Sequence, residues 1–297
     1  MSEREGSQRE RGATTADRLA LAPDDLSEER AQREALSTSP RAESARGLLF
    51  TVLGEFVLPA GGVAWTSAFI DVLGRLGVEE KAVRQALMRT ATGGWLAAER
   101  VGRRTRWRLT PAAERLLTEG TERIYGFAAV LPDWDRRWLL VLARTPETDR
   151  PGRHLLRTRL SWAGLGSPAP GVWISPHVGR VDEVEVLTGG AQIFVAEHTG
   201  HGDLPAMVRQ AWDLASIESA YRGFLADFAA PERRDPLAGL VELVHAWRRF
   251  PALDPALPAE LLPSSWSGTA AAALFRRRHA SWAAAAGTDW AGLNPTP

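Results

Sequence analysis

Apolar residues return at helical intervals once the chain passes residue 44. Leu48, Leu49, Val52, Leu53 and Phe56 share one face of a helix that Ser44 is expected to cap. Pro59-Ala60-Gly61-Gly62 interrupts the pattern, and Phe69, Ile70, Leu73 and Leu76 resume it in a second helix with Thr66 or Ser67 as its cap. A third helix is predicted over Glu79–Thr90. Val83 and Leu87 face inward there, leaving Arg84, Gln85, Met88 and Arg89 outward. Gly93-Gly94 ends it. Trp95–Arg100 and Thr105–Leu109 then read as the strands of a hairpin about the turn Val101-Gly102-Arg103-Arg104. Thr110-Pro111 opens a helix running to about Tyr125, because proline at the first helical position lacks only a donor that would be orphaned anyway.

A second unit begins near Trp134. The apolar run Trp138–Ala143 is short enough for a buried strand. A loop at Thr145–Gly152 leads to a helix carrying Leu155, Leu156, Leu160 and Trp162, which is expected to end at Gly164-Leu165-Gly166. Gly171–Pro176 reads as a strand, Val181–Leu187 as a short helix and Ala191–Glu197 as another strand. That alternation is the order of a ferredoxin-like α+β domain. From Leu204 the pattern is helical, with Leu237–Phe250 and an alanine-rich Thr269–Ala286 as its clearest members. Residues 1–43 mix charged and small residues without aromatics, too little apolar surface to offset the entropy of ordering, and are expected to be a disordered tail.

Composition sharpens one segment. The 297-residue chain has 36 basic and 36 acidic residues and a net charge of +0, so it is not a general polyanion binder. Between Lys81 and Arg108, however, the basic residues Lys81, Arg84, Arg89, Arg100, Arg103, Arg104, Arg106 and Arg108 face only Glu99. A basic helix followed by an arginine-tipped hairpin is the plan of a winged helix-turn-helix, which points to double-stranded DNA. Arg84, Gln85 and Arg89 are placed to read base edges, whereas Arg100, Arg103, Arg104 and Arg106 are placed to neutralise phosphates.

Other chemistries are poorly supplied. The chain has 0 cysteines, which removes disulfides, thiolate metal sites and cysteine nucleophiles together and fits a reducing cytoplasm. The charged start Met1-Ser2-Glu3-Arg4-Glu5 has no apolar core behind it, and no apolar run reaches membrane-spanning length, so a cytoplasmic protein without membrane contact is expected. His198 and His201 lie close to Glu197 and Asp203, but the surrounding glycines indicate a solvated loop rather than a metal site. His177 is expected to be structural. Trp162, Trp173, Trp212 and Trp247 occupy apolar positions and are expected in the core. No phosphate-binding loop, nucleophile elbow or dinucleotide fingerprint occurs, and no catalytic residue is assigned.

The motifs taken in order resemble a known family. Ser44-Ala45-Arg46, Leu53-Gly54-Glu55, Gly77-Val78, Val83-Arg84-Gln85-Ala86-Leu87, Gly94-Trp95-Leu96 and Gly102-Arg103-Arg104 are similar to the amino-terminal domain of the phenylacetate-catabolism repressor (PaaX-type) family. Arg123-Ile124-Tyr125 and Trp134-Asp135-Arg136-Arg137-Trp138 resemble its junction with the middle domain. Trp212-Asp213-Leu214, Tyr221, His245-Ala246-Trp247-Arg248, Asp254-Pro255 and Leu257-Pro258 resemble its carboxy-terminal part. The resemblance implies a homodimeric repressor released from its operator by an aryl-CoA thioester such as phenylacetyl-CoA. The expected fold class is α+β: a tail at 1–43, a winged helix-turn-helix at 44–126, a ferredoxin-like middle domain at 127–202, a helical effector and dimerisation domain at 203–286, and a loose end at 287–297.

The middle domain also resembles the ferredoxin-like nucleases of CRISPR systems, so the alternative is a metal-dependent nucleic-acid-processing enzyme. That alternative requires a metal-binding aspartate where the first strand ends, but this strand ends at Ala143-Arg144-Thr145, with Asp133 and Asp135 before it. A basic residue at that point opposes metal-dependent cleavage.

Overall fold

The computed structural model describes residues 45–127, 134–143, 150–230 and 235–295. The tail, the Ser44 cap, Asp133, Arg144 and the first part of the Thr145–Gly152 loop lie outside them. The chain is α+β with two small antiparallel sheets.

Helix α1 (Ala45–Val52) is buried on every side from Gly47 to Val52, as expected of a helix with no polar face. It runs on as a π-helical turn, Leu53–Val57. A three-residue strand β1 (Val63–Trp65) follows, then α2 (Thr66–Arg75), α3 (Glu80–Thr92), the hairpin strands β2 (Leu96–Val101) and β3 (Arg104–Leu109), and α4 (Pro111–Gly126). The sheet order is β1-β3-β2. Strand β1 is absent from the sequence reading. Its effect is to take the Thr66 hydroxyl out of capping duty: that group donates to the Thr105 carbonyl at 2.9 Å and accepts from Trp107 Nε1 at 2.9 Å, leaving Trp65 at the cap position. Thr110 caps α4 as expected, accepting from the Ala113 N–H at 3.2 Å.

The middle unit contains β4 (Arg137–Leu142), α5 (Arg150–Trp162), β5 (Gly166–Ala169), β6 (Val172–Ser175), α6 (Val181–Thr188) and β7 (Gln192–Glu197), in the sheet order β5-β6-β4-β7. Leu139, Val141, Leu160, Trp173 and Val184 form its own core. The chain turns at Gly164-Leu165 and enters β5, a strand where the sequence indicated only the end of a helix. At Gly166 a Cβ would lie 2.4 Å from the Trp212 ring, so only glycine lets the indole close over this strand. Trp162 is the exception among the expected core tryptophans, being 36% exposed.

Helix α7 (Leu204–Ala211) packs on β5, and α8 (Leu214–Phe228), α9 (Pro236–Trp247), the short α10 (Phe250–Leu253) and the long α11 (Gly268–Leu293) complete the chain. Trp247 stacks on Phe275 at 4.7 Å, and Tyr221 on Phe250 at 4.2 Å. The N-terminal helices share one continuous core with these C-terminal ones, since α1 packs on α9, and α2 packs on both α9 and α11. Arg75 fixes that seam with ion pairs to Asp71 at 2.8 Å, Asp235 at 2.9 Å and Asp289. The last helix does not stop at Ala286. It extends to Leu293 because Trp290 is buried against Phe56 and Phe69, which gives the final turns a hydrophobic anchor. Beyond it Asn294 and Pro295 are docked. The Asn294 amide accepts from the Trp65 N–H and donates to the Val63 carbonyl, both at 3.0 Å, completing the open edge of β1.

Candidate nucleic-acid interface

Helix α3 is amphipathic for a simple reason: Val83, Ala86, Leu87 and Thr90 are buried, and the intervening positions are polar. Lys81, Arg84, Gln85, Met88 and Arg89 are exposed together on the opposite side, with Met88 at 58% exposure. Arg84 is tied back to Glu80, with its Nε at 2.8 Å from the carboxylate, in an exposed pair one turn apart. Gln85, Arg89 and Lys81 make no side-chain hydrogen bond or ion pair with any described residue. Gly93 and Gly94 stop the helix, and the Trp95 N–H returns to the Thr90 carbonyl at 3.1 Å.

The hairpin turns in two residues, with Val101 paired to Arg104. Gly102 takes the first corner at φ +60°, a conformation that a side chain would strain. Arg103 at the tip is exposed and makes no ion pair with a described residue. Arg100 reaches the Gly102 carbonyl at 3.4 Å, and Arg104 lies with its guanidinium 4.1 Å from the centre of the Trp65 ring. Along β3, Trp107 and Leu109 point into the core while Arg106 and Arg108 point outward.

The structure divides the seven residues expected to meet DNA. Arg84, Gln85 and Arg89 come together on the open face of α3. Arg100, Arg103 and Arg104 gather around the hairpin tip. Arg106 is engaged elsewhere: Glu99 stands directly across the ladder and holds Arg106 Nε at 2.6 Å and Arg108 Nε at 2.7 Å. These two hydrogen bonds, Arg108 first, hold the Glu99 carboxyl below its usual range. Trp65 is the site residue that sequence reading did not single out. It carries Arg104 on its face, and its indole N–H donates to the Pro295 carbonyl at 3.1 Å.

Elsewhere, Asp135 is spent locally, accepting from the Arg137 N–H at 2.9 Å and from Arg137 Nε at 2.7 Å. His198 Nδ1 accepts from the Gly200 N–H at 3.1 Å, inside its own loop. His177 Nε2 meets the Pro255 carbonyl at 3.2 Å, joining the middle unit to the C-terminal segment.

Three family models match the chain in succession: the PaaX-like protein model at residues 44–113, the PaaX protein central Cas2-like domain at 131–208, and the PaaX-like protein C-terminal domain at 212–291. The transcriptional repressor PaaX of Escherichia coli (strain K12) is 31% identical over 248 residues, covering 76% of this chain and 76% of that protein. The chain belongs to the PaaX family. An uncharacterized protein of Mycobacterium tuberculosis has a solved structure that aligns with a TM-score of 0.62 over 85% of this chain and 99% of its own, at 23% identity, and so shares the fold. No helix among the described residues is long and apolar enough to cross a membrane.

Proposed function

We propose that this chain is a sequence-specific transcriptional repressor that acts on DNA and catalyses no reaction. The open face of α3, where Gln85 and Arg89 have no partner among the described residues and stand beside an arginine-tipped hairpin, carries the reading. In a winged helix-turn-helix, α3 enters the major groove, where Arg89 and Arg84 pair with guanine and Gln85 with adenine. Arg100, Arg103 and Arg104 form the wing on the phosphates. The repressor function named for the E. coli relative supports this assignment.

The finer reading is a cytoplasmic regulator of an aromatic-acid catabolic operon of the phenylacetate type, freed from its operator by an aryl-CoA thioester. The antiparallel order β5-β6-β4-β7 supports a ferredoxin-like middle domain. We assign pairing of two copies on a palindrome to the helical C-terminal domain at 203–286.

A gel-shift titration against the upstream region of its own operon, at several salt concentrations, tests the function. A steeply salt-dependent shift that phenylacetyl-CoA reverses is the expected outcome. No shift at low salt with any neighbouring promoter fragment would overturn it. Cleavage of DNA or RNA on addition of divalent metals would instead favour a processing enzyme.

A further inference from the structure

A cavity of about 270 Å³ lies where α1 and α4 meet α9 and α10. Its wall is mostly apolar, with Phe50, Leu116, Leu117, Ile124 and Val244 among the lining residues. One member is of a different kind. Arg248 is 8% exposed, and its side chain makes no hydrogen bond or ion pair with any described residue. Burial lowers its pKa only to about 10, so the guanidinium stays charged at neutral pH. A buried charge without a partner is unfavourable unless an anion meets it.

The cavity's carboxylates do not supply that anion. The Glu55 oxygens are taken by the Tyr125 hydroxyl and by His279 Nε2 at 2.9 Å, and Glu119 is exposed at the rim. Arg123, also on the wall, donates to the Pro251 carbonyl at 3.0 Å.

We infer that this cavity is a binding site for a small organic monocarboxylate with an apolar body, its carboxylate on Arg248 and its hydrocarbon against Phe50, Leu116 and Ile124. Arg248 is the wall cation with no hydrogen-bond or ion-pair partner among the described residues, and a planar guanidinium matches a carboxylate in a two-point contact. The volume suits a free aromatic or medium-chain acid. The acyl end of a thioester brings no charge to Arg248, so the site is distinct in chemistry from one built for an acyl-CoA. It stands independently of the DNA-binding reading.

The test is calorimetric titration and thermal shift of the full chain with benzoate, phenylacetate and octanoate, each beside its neutral amide. The acids are expected to bind and to raise the melting temperature with the logarithm of concentration, whereas the amides are inert. Arg248→Met keeps the apolar stem and removes the charge, and is expected to fold while binding the acids about a hundredfold more weakly. Gly120 lines the cavity within helix α4, and a Cβ there meets nothing within 4 Å. Gly120→Leu therefore adds bulk at the cavity wall without a clash at Cβ, gains helix propensity, and is expected to weaken binding. Acids that fail to bind the parent chain, or that bind both variants equally well, overturn the assignment. So does phenylacetyl-CoA binding that both variants abolish while no free acid binds. A parallel gel shift keeps a failure of this site separate from a failure of the repressor reading.

Discussion

The guanidinium of Arg104 rests 4.1 Å from the centre of the Trp65 ring, and the same indole donates its N–H to the Pro295 carbonyl at 3.1 Å. A hairpin arginine is thereby posed by a side chain of β1, which is itself held by Asn294 and Pro295. Stacking of this kind at an accessible site is worth about 0.5–1 kcal/mol. Arg104→Ala is expected to weaken binding to every duplex and lower the slope of log affinity against log salt by about 1. Trp65→Leu leaves the charge but releases it, so affinity falls less and the salt slope stays. Salt titrations of both variants on operator and random DNA distinguish charge from pose.

On α3, Glu80 pairs with Arg84, and under the proposed function it would compete with DNA for that guanidinium. An exposed pair one turn apart is worth only about 0.3–0.5 kcal/mol, so little is lost by breaking it. Glu80→Gln is expected to raise operator affinity about twofold to tenfold, because it frees Arg84 and removes a negative charge facing phosphates. Arg84→Ala is expected to relax sequence preference at one base pair, with about 1–3 kcal/mol of discrimination lost. Competition binding against single-base operator variants reads both effects.

Arg103 and Arg106 carry the same charge but are predicted to differ. Arg103 at the tip has no ion-pair partner among the described residues, whereas Arg106 is 23% exposed and bonded to Glu99. Arg103→Ala should reduce the salt slope, and Arg106→Ala should leave it nearly unchanged while lowering thermal stability. An equal loss of slope in both would show that Glu99 surrenders Arg106 on binding.

His245 is 4% exposed, its Nδ1 lies 3.0 Å from the Thr51 hydroxyl, and burial, followed by the Arg248 charge, pushes its pKa down to about 3. The unfolded chain takes up this proton near pH 6.5 and the folded chain does not. Stability is therefore complete above pH 6.5 and falls as pH drops toward 3. The slope is about 1.4 kcal/mol per pH unit for one proton. Asp254, whose carboxyl is raised by burial, works in the opposite direction. Denaturant unfolding of the parent and of His245→Gln across that range isolates the term: the difference in slope should match one proton, and parallel curves would refute it.

Much of the helix and hairpin that carry the candidate residues was legible in the sequence because it depends on local periodicity. The outward face of α3 follows from Val83 and Leu87, and the hairpin from Gly102. The Glu99–Arg106 pair was also within reach: with a two-residue turn, counting outward from Val101 and Arg104 sets these two opposite each other. What escaped is short or distant. Strand β1 spans three residues, too few to show a period of two, and β5 holds glycine and proline with a register shift rather than β-branched residues. The core shared by α1, α2, α9 and α11 joins segments far apart in sequence, and no local pattern encodes that. Nor does spacing reveal that Arg248, within an ordinary-looking helical run, has no counter-ion among the described residues.

Helix α11 has 26 residues and so is a rod of about 39 Å. At His279 it touches Glu55 and Tyr125, two residues of the cavity wall; at its tip, Asn294 and Pro295 hold Trp65 and, through it, Arg104. About 22 Å separates those two points along the axis. Pivoted at His279, a tilt of about 5° would move the tip by about 2 Å, enough to break hydrogen bonds of ordinary length. The helix thus ties the cavity wall at His279 to the hairpin arginine Arg104 through a single rigid element.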